Sequence, residues 1–142
     1  MLKDHTYQYY NELGYNCAES IIRAGNDYYD LGLHDQDMIM VAGFGAGLQC
    51  GQTCGAVLSA VSILSVKYVE RNAHASADIH PVTVKLIRKF KERYGSVLCK
   101  DIKPQSYKPE YRCQRTVETA CDILEETLQE YERDAADENS DK

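Results

Sequence analysis

Residues 43–66 read GFGAGLQCGQTCGAVLSAVSILSV, and this stretch decides the fold. Its first half is rich in glycine, which loosens the backbone and interrupts regular structure. Its second half is small and apolar and carries no charge before Lys67. The stretch therefore predicts a glycine loop that leads into a buried helix. Cys50 and Cys54 lie at the junction, where the free amides of a helix start favour negative charge and lower the pKa of a thiol.

The central helix is predicted over about residues 53–72, and its apolar residues extend around most of its circumference. A helix of this kind is surrounded by other helices. Before it, Asn16 is a suitable N-cap for a helix that ends at Gly32, and residues 4–13 predict a shorter helix. Asp35 or Asp37 is expected to cap a brief helix that leads into the glycine loop.

Two more helices are predicted after the central one. Pro81 fits the first turn of a helix that ends at Gly95, and the last helix starts near Cys113, after a proline-containing loop. Residues 134–142 are acidic and polar and predict a disordered tail behind a single domain over residues 1–133. Because no alternating strand pattern is evident, the sequence predicts an all-α fold, a compact bundle of about five to six helices.

The length, cysteine count and net charge of the chain limit the class of protein. A chain of 142 residues can bury a core without disulfides, so its six cysteines are not needed as staples. A formal charge of −6 argues against a general nucleic-acid binder. The longest apolar run is about half of the roughly 20 residues that a membrane span needs, and no signal peptide is evident. We therefore expect a cytoplasmic protein without a membrane span, in which cysteines serve metal binding or redox chemistry.

Basic residues are concentrated between Lys85 and Arg115. The favoured interpretation is a solvated face whose charge is balanced by other parts of the fold. The alternative is a surface on which an acidic partner docks. The sequence leaves both interpretations open.

Four cysteines occupy equivalent places at helix ends. Cys17, Cys54 and Cys113 fall in the first turn of predicted helices, and Cys99 follows the end of another. If these ends meet at one end of the bundle, four thiols converge there. Cys121 lies two turns along the last helix, about 12 Å from Cys113, and fits an ordinary core position.

Cys50 and Cys54 are four residues apart. On a helix, this spacing places the β-carbons about 5–6 Å apart, which suits metal chelation better than a relaxed disulfide. If the helix begins only after Cys50, the glycine loop can instead bend to bring the two sulfurs together. The spacing does not decide between these arrangements.

The pattern resembles the C_GCAxxG_C_C family of redox-active proteins. The resemblance rests on NCAES from Asn16, on the glycine loop that runs into TCGA from Thr53, and on GSVLC and RC, which end at Cys99 and Cys113. The family's four named cysteines correspond to Cys17, Cys54, Cys99 and Cys113. Cys50 and Cys121 are additional, and Ser59 stands where the family pattern has a glycine.

The resemblance implies a helical domain with redox or metal chemistry. A related domain occurs in split-Soret cytochromes, where haem and an iron–sulfur centre are associated. Because this chain has no Cys-x-x-Cys-His motif, covalent haem is not expected, and only the iron–sulfur part carries over.

Three hypotheses follow. In the first, Cys17, Cys54, Cys99 and Cys113 bind an iron–sulfur cluster or another metal such as zinc for electron transfer, and Cys50 can replace one ligand. In the second, the protein is a metal-free thiol–disulfide protein in which Cys54 attacks and Cys50 or Cys17 resolves. In the third, it is a non-enzymatic helical interaction module whose cysteines belong to the core.

Tyrosines suggest an assembly. A small domain with a nearly all-apolar central helix has little chain with which to cover it, and tyrosine is favoured at interfaces. We therefore expect a homodimer, unless the tyrosines cover the core within one monomer. The candidate contact residues are Tyr7, Tyr9, Tyr10, Tyr28 and Tyr29. Separately, the redox function implies a redox partner protein.

Overall fold

The computed structural model describes residues 1–140, with side chains described up to residue 138. Within this range the chain is helical and contains no β-strand, which confirms the predicted all-α class. An irregular helical segment over residues 2–12 comes first, and short turns over 39–44 and 47–51 precede the central helix. The α-helices are α1 (Cys17–Tyr29), α2 (Asp35–Met38), α3 (Gly55–Tyr68), α4 (Ile79–Tyr94), α5 (Cys99–Ser106) and α6 (Gln114–Ser140).

Helix α1 begins at a reciprocal cap. The Glu19 amide donates to the Asn16 side chain at 2.9 Å, and the Asn16 amide donates to the Glu19 carboxylate at 3.1 Å. This pair satisfies two amides that a helix start otherwise leaves free. The Asn16 side chain also donates to the carbonyl of Ala42 at 2.9 Å. One residue therefore caps α1 and holds the beginning of the glycine loop against it.

Helix α3 lies at the centre, as the sequence predicted. It packs against α1, α4 and α6, and Ala56, Ala60 and Ile63 are fully buried along it. Ser59 is also buried, and its hydroxyl donates to the carbonyl of Ala18 in α1 at 2.7 Å. Ser59, which stands where the resembled pattern has a glycine, therefore links the two helices directly.

Replacing Ser59 with alanine is expected to lower the free energy of unfolding by about 1 kcal/mol, because one buried hydrogen bond between helices is lost. Ser62→Ala is the matched control, since the Ser62 hydroxyl bonds only within α3, to Leu58. That change should cost less than about 0.5 kcal/mol. Urea unfolding of both variants makes the comparison, and equal losses would contradict the assigned role of Ser59.

Ion pairs join α4 to α6. The Lys89 ammonium lies 3.0 Å from the Glu130 carboxylate, and Lys85 lies 3.1 Å from the same residue. Beneath these pairs, Leu86 and Phe90 of α4 are fully buried. The charges of these α4 lysines are thus balanced by α6, as the favoured interpretation of the sequence predicted.

The central helix is shorter than the predicted range of 53–72. It begins after Cys54, whose ψ of 132° is not helical and whose amide donates to the carbonyl of Val97 at 2.8 Å. It ends at Tyr68, because Val69 is extended. The first two residues of the predicted helix, Thr53 and Cys54, are therefore non-helical and are held by another part of the chain.

Helix α5 replaces part of the loop that the prolines predicted. It starts at Cys99, whose amide donates to the carbonyl of Gln52 at 2.7 Å, and it buries Ile102 in the core. Pro104 lies in its second turn and the helix ends two residues later. Cys99 therefore begins a helix, where the sequence placed it only after the end of another.

Helix α6 continues to Ser140, into the stretch predicted as a tail. Its alanine and glutamate residues have high helix propensity, which supports the added turns. Residues 141 and 142 of the predicted tail lie outside the described residues. The domain boundary at residue 133 remains a prediction. In residues 1–140, no helix combines the length and the apolar character that a membrane span requires.

Candidate functional site

Four cysteines lie at the starts of four different helices. Cys17 and Cys99 are the first residues of α1 and α5, and Cys54 and Cys113 directly precede α3 and α6. All four line one cavity of about 220 Å³. The structure thus brings together the four cysteines that the sequence selected, although α3 begins two residues later than predicted and α5 was not predicted as a helix.

A short antiparallel bridge fixes two of these cysteines relative to each other. Thr53 pairs with Leu98, and hydrogen bonds run from the Cys54 amide to Val97 and from the Cys99 amide to Gln52. The segments before α3 and α5 are therefore tied together across more than forty residues of sequence. This bridge holds the starts of both helices on the same side of the cavity.

The loop that leads to Cys50 has an unusual backbone. Ala46, Gly47, Leu48 and Gln49 have φ angles of 52°, 62°, 57° and 66°, so four successive residues are left-handed. Each non-glycine residue in this conformation costs roughly 1–2 kcal/mol. Backbone strain of this kind is concentrated at functional sites, where the surrounding structure maintains it.

Gly47 allows this turn to touch the cavity wall. A β-carbon added at Gly47 would lie 2.5 Å from the β-carbon of Cys99 and would also overlap the carbonyl of Gln52. Only glycine fits there. The turn therefore packs directly on the residue that begins α5.

Cys50 lies outside the cavity that the other four thiols line. It is exposed, and it lines an adjoining groove together with Cys99, Lys100, Lys103 and Tyr107. Because α3 starts only at Gly55, Cys50 and Cys54 do not share a helix, so the helical one of the two arrangements left open does not occur. The chain between them is a loop that places Cys50 in the groove and Cys54 in the cavity, so a contact between the two sulfurs remains a prediction.

Burial has the largest effect on the pKa of three thiols that line the cavity. It raises the pKa of Cys17 to about 12, and it also raises the pKa of Cys54 and of Cys113. Neighbouring thiols raise these pKa values further, because two thiolates repel each other. The amides of Ala56 and Val57 lower the pKa of Cys54, but burial outweighs them. The direction is opposite to the lowered pKa that the sequence predicted for Cys54.

Tyr10 is a site residue that sequence reasoning missed. It is buried and lines the cavity, and its hydroxyl accepts a hydrogen bond from the Cys113 amide at 2.9 Å. The same hydroxyl hydrogen-bonds the Cys113 side chain, which lowers the pKa of that thiol. The Arg112 guanidinium lies over the Tyr10 ring, 4.4 Å from its centroid. The sequence offered Tyr10 only as a candidate contact residue of a homodimer.

Replacing Tyr10 with phenylalanine is expected to raise the pKa of Cys113 further, because burial already raises it and the hydroxyl opposes that effect. In metal-free protein, the pH profile of Cys113 alkylation should therefore move to higher pH, as measured by peptide mass spectrometry. Tyr111→Phe is the control, since the Tyr111 ring stacks on Arg115 and does not line the cavity. An unchanged Cys113 profile in Tyr10→Phe would contradict the assigned contact.

Cys121 is fully buried in α6 and does not line the cavity, so it occupies a core position. Among residues 1–140, all six cysteines are free. Within the same range, no three His, Cys, Asp or Glu side chains are arranged closely enough to hold a metal ion. The four cysteines thus line one cavity but do not form a close metal-ion group.

A comparison with known protein families matches the part of the chain that contains the four cavity cysteines. The model of the family described as "Putative redox-active protein (C_GCAxxG_C_C)" matches residues 15–127. The chain belongs to this family. No curated protein and no solved structure shows significant similarity to it. Membership of the C_GCAxxG_C_C family confirms the resemblance seen in the sequence, and all four cysteines that line the cavity lie within the matched residues.

Proposed function

We propose that this C_GCAxxG_C_C protein is an electron-transfer protein in which Cys17, Cys54, Cys99 and Cys113 hold an iron–sulfur cluster. The observation that carries the proposal is the shared cavity, which these four thiols line from four helix starts. Thiolates are the ligands that iron–sulfur clusters and other soft metals prefer, and four cysteines complete the common ligand set.

The absence of a close metal-ion group among residues 1–140 favours a cluster over a single zinc ion. Zinc binds sulfur at about 2.3 Å, so the sulfurs of a tetrahedral site lie within about 4 Å of one another. The four thiols here surround a cavity of about 220 Å³ and form no close metal-ion group among residues 1–140. A cluster of several iron and sulfide atoms spans a wider gap between its ligands. Zinc remains the alternative metal, and covalent haem is not proposed.

Several residues of the chain are placed to act on bound thiolates. The Ala46 amide donates to the Cys17 sulfur, the Ala56 and Val57 amides donate to Cys54, and Tyr10 contacts Cys113. Hydrogen bonds to ligand sulfurs and burial both set the reduction potential of such a centre. When bound, the cluster supplies one-electron transfer. Because the thiols must lose their protons first, metal loading should release protons and improve as pH rises.

Analysis of anaerobically purified protein for iron, acid-labile sulfide and zinc tests the proposal. We expect iron and sulfide in similar amounts, together with visible absorption that bleaches on reduction. Reconstitution of metal-free protein at increasing pH should load more iron. Protein that contains neither iron nor zinc after anaerobic purification and reconstitution, with all thiols titratable, would rule out the metal centre.

The second candidate function is metal-free thiol–disulfide exchange, and the exposed position of Cys50 favours it. Cys50 shares a groove with Cys99, whereas Cys54 is buried and has a raised pKa. In this version, the Cys50 thiolate attacks a substrate disulfide, which forms a mixed disulfide and releases the first substrate thiolate. Cys99 then attacks the Cys50 sulfur and releases the second substrate thiolate. The products are a Cys50–Cys99 disulfide and a substrate with two reduced thiols. Cys50 should then be alkylated first and oxidation should yield that disulfide. Alkylation of Cys54 before Cys50 would contradict it.

The homodimer and the cytoplasmic location are part of the proposal. Tyr7 and Tyr28 are exposed and available for a contact, whereas Tyr10 is buried within its own chain and covers the core instead. Tyr9 donates to Asp27, and Tyr28 packs edge-on against Tyr29. We expect light scattering at micromolar concentration to give a dimer. A mass near 16.1 kDa would reject it.

A further inference from the structure

The basic stretch between Lys85 and Arg115 divides into two parts in the structure. On α4, Lys85 and Lys89 form ion pairs with Glu130, so their charges are balanced by α6. The part that follows α4 has a different environment. Its cations form what we call the basic rim, which consists of Lys100, Lys103, Lys108, Arg112 and Arg115.

The basic rim lies at the mouth of the cysteine cavity. Lys103 and Arg112 line the cavity itself, and Lys100 and Lys103 line the adjoining groove. Lys108 and Arg112 are joined by a backbone bridge in the turn before α6. All five side chains are exposed. Three cations of the rim therefore lie beside the space that the four thiols line, and Lys108 is held next to one of them by the bridge to Arg112.

The cations of the rim have no carboxylate partners among residues 1–140. None of the five forms an ion pair there, and three of them lie over tyrosine rings, as Lys103 does over Tyr107 at 4.8 Å. Between Lys100 and Arg115 there are two carboxylates. Asp101 accepts a hydrogen bond from the Ser96 hydroxyl at 2.8 Å, and the other is Glu110. A chain with a formal charge of −6 thus carries a positive surface beside its candidate centre.

We propose that the basic rim is the docking surface for the acidic face of a small electron-carrier protein. Complementary charge steers such a partner to the side of the molecule where electrons reach the thiols by the shortest path. Tyr107 lines both the cavity and the groove, so it provides a flat contact beside Lys103. The electron transfer rests on the proposed function, but the docking does not.

Two carriers of opposite charge serve as probes: a flavodoxin, which is acidic, and mitochondrial cytochrome c, which is basic. Binding is measured by fluorescence anisotropy with both metal-free and iron-loaded protein. We expect flavodoxin to bind, and its association rate to fall at least about tenfold between roughly 20 and 200 mM salt. Cytochrome c should bind at least about tenfold more weakly at low salt.

Charge reversal locates the surface. The double variant Lys100→Glu/Lys103→Glu should slow flavodoxin association at least about fivefold and improve cytochrome c binding. Arg88→Glu/Lys91→Glu is the matched control on exposed residues of α4, and it should change neither carrier by more than about twofold. Circular dichroism establishes that both variants fold.

Three results would overturn the docking surface. They are equal binding of both carriers, equal effects of the two double variants, and single-stranded DNA that binds the rim as tightly as flavodoxin. Failure of the cluster leaves a different signature, because flavodoxin would then bind the metal-free protein while no iron is ever loaded. If the protein loads iron normally but does not bind flavodoxin, the docking surface is rejected and the proposed cluster is not.

Discussion

Replacing any one of Cys17, Cys54, Cys99 or Cys113 with serine is expected to lower iron content or iron affinity at least about tenfold. Each thiol lines the same cavity, and a serine hydroxyl is a harder and weaker ligand for iron in a cluster than a thiolate. The measurement is iron and sulfide per chain after anaerobic purification and after reconstitution.

Cys121→Ser and Cys50→Ser separate ligand loss from loss of stability. Cys121 is fully buried outside the cavity, so its serine variant should lose about 1–3 kcal/mol of stability, because a hydroxyl is buried, while iron is retained. Cys50 is exposed, so its variant should change stability little. If all four cavity variants retain wild-type iron, stability and oligomeric state, the cysteines belong to an interaction module instead.

The positions of the cysteines were partly predictable, because helix starts have local signals. Asn16 and Glu19 form the cap that places Cys17, and both residues stand in the sequence at the expected spacing. The apolar character of residues 55–66 likewise predicted a surrounded central helix. Such features depend on neighbours within one or two turns, so a sequence pattern reveals them.

The remaining parts of the site depend on contacts between distant segments. The hydrogen bond from the Cys99 amide to Gln52 starts α5 despite Pro104, and no local pattern announces it. Tyr10 meets Cys113 from more than one hundred residues away. Burial decides the pKa of Cys54 against its helix-start amides, and burial at a helix end follows from tertiary packing. These outcomes therefore required the assembled structure.

The glycine content of residues 43–55 predicted a loop, but it did not predict the left-handed turn before Cys50. The sequence predicted an interrupted backbone, but it did not single out Gly47 among the glycines of residues 43–55. The structure separates them by what a side chain would meet. At Gly47 a β-carbon would overlap Gln52 and Cys99, whereas at Gly43 nothing lies within 4 Å.

Gly47→Ala is expected to lower the free energy of unfolding by more than about 2 kcal/mol and to remove most of the iron. The φ of Gly47 is 62°, and the new β-carbon would lie 2.5 Å from that of Cys99, so the turn or α5 must move. Gly32→Ala is the matched control, because Gly32 has a φ of 74° but nothing within 4 Å.

The control variant isolates the cost of the left-handed backbone, which should be about 1–2 kcal/mol without loss of iron. Any further loss in Gly47→Ala reports the overlap with Cys99. Guanidinium unfolding of the metal-free forms gives the stability difference, and iron content after reconstitution gives the effect on the site. If Gly47→Ala loads iron as well as Gly32→Ala does, the turn does not position Cys99, and its strain needs a different explanation from support of the cavity.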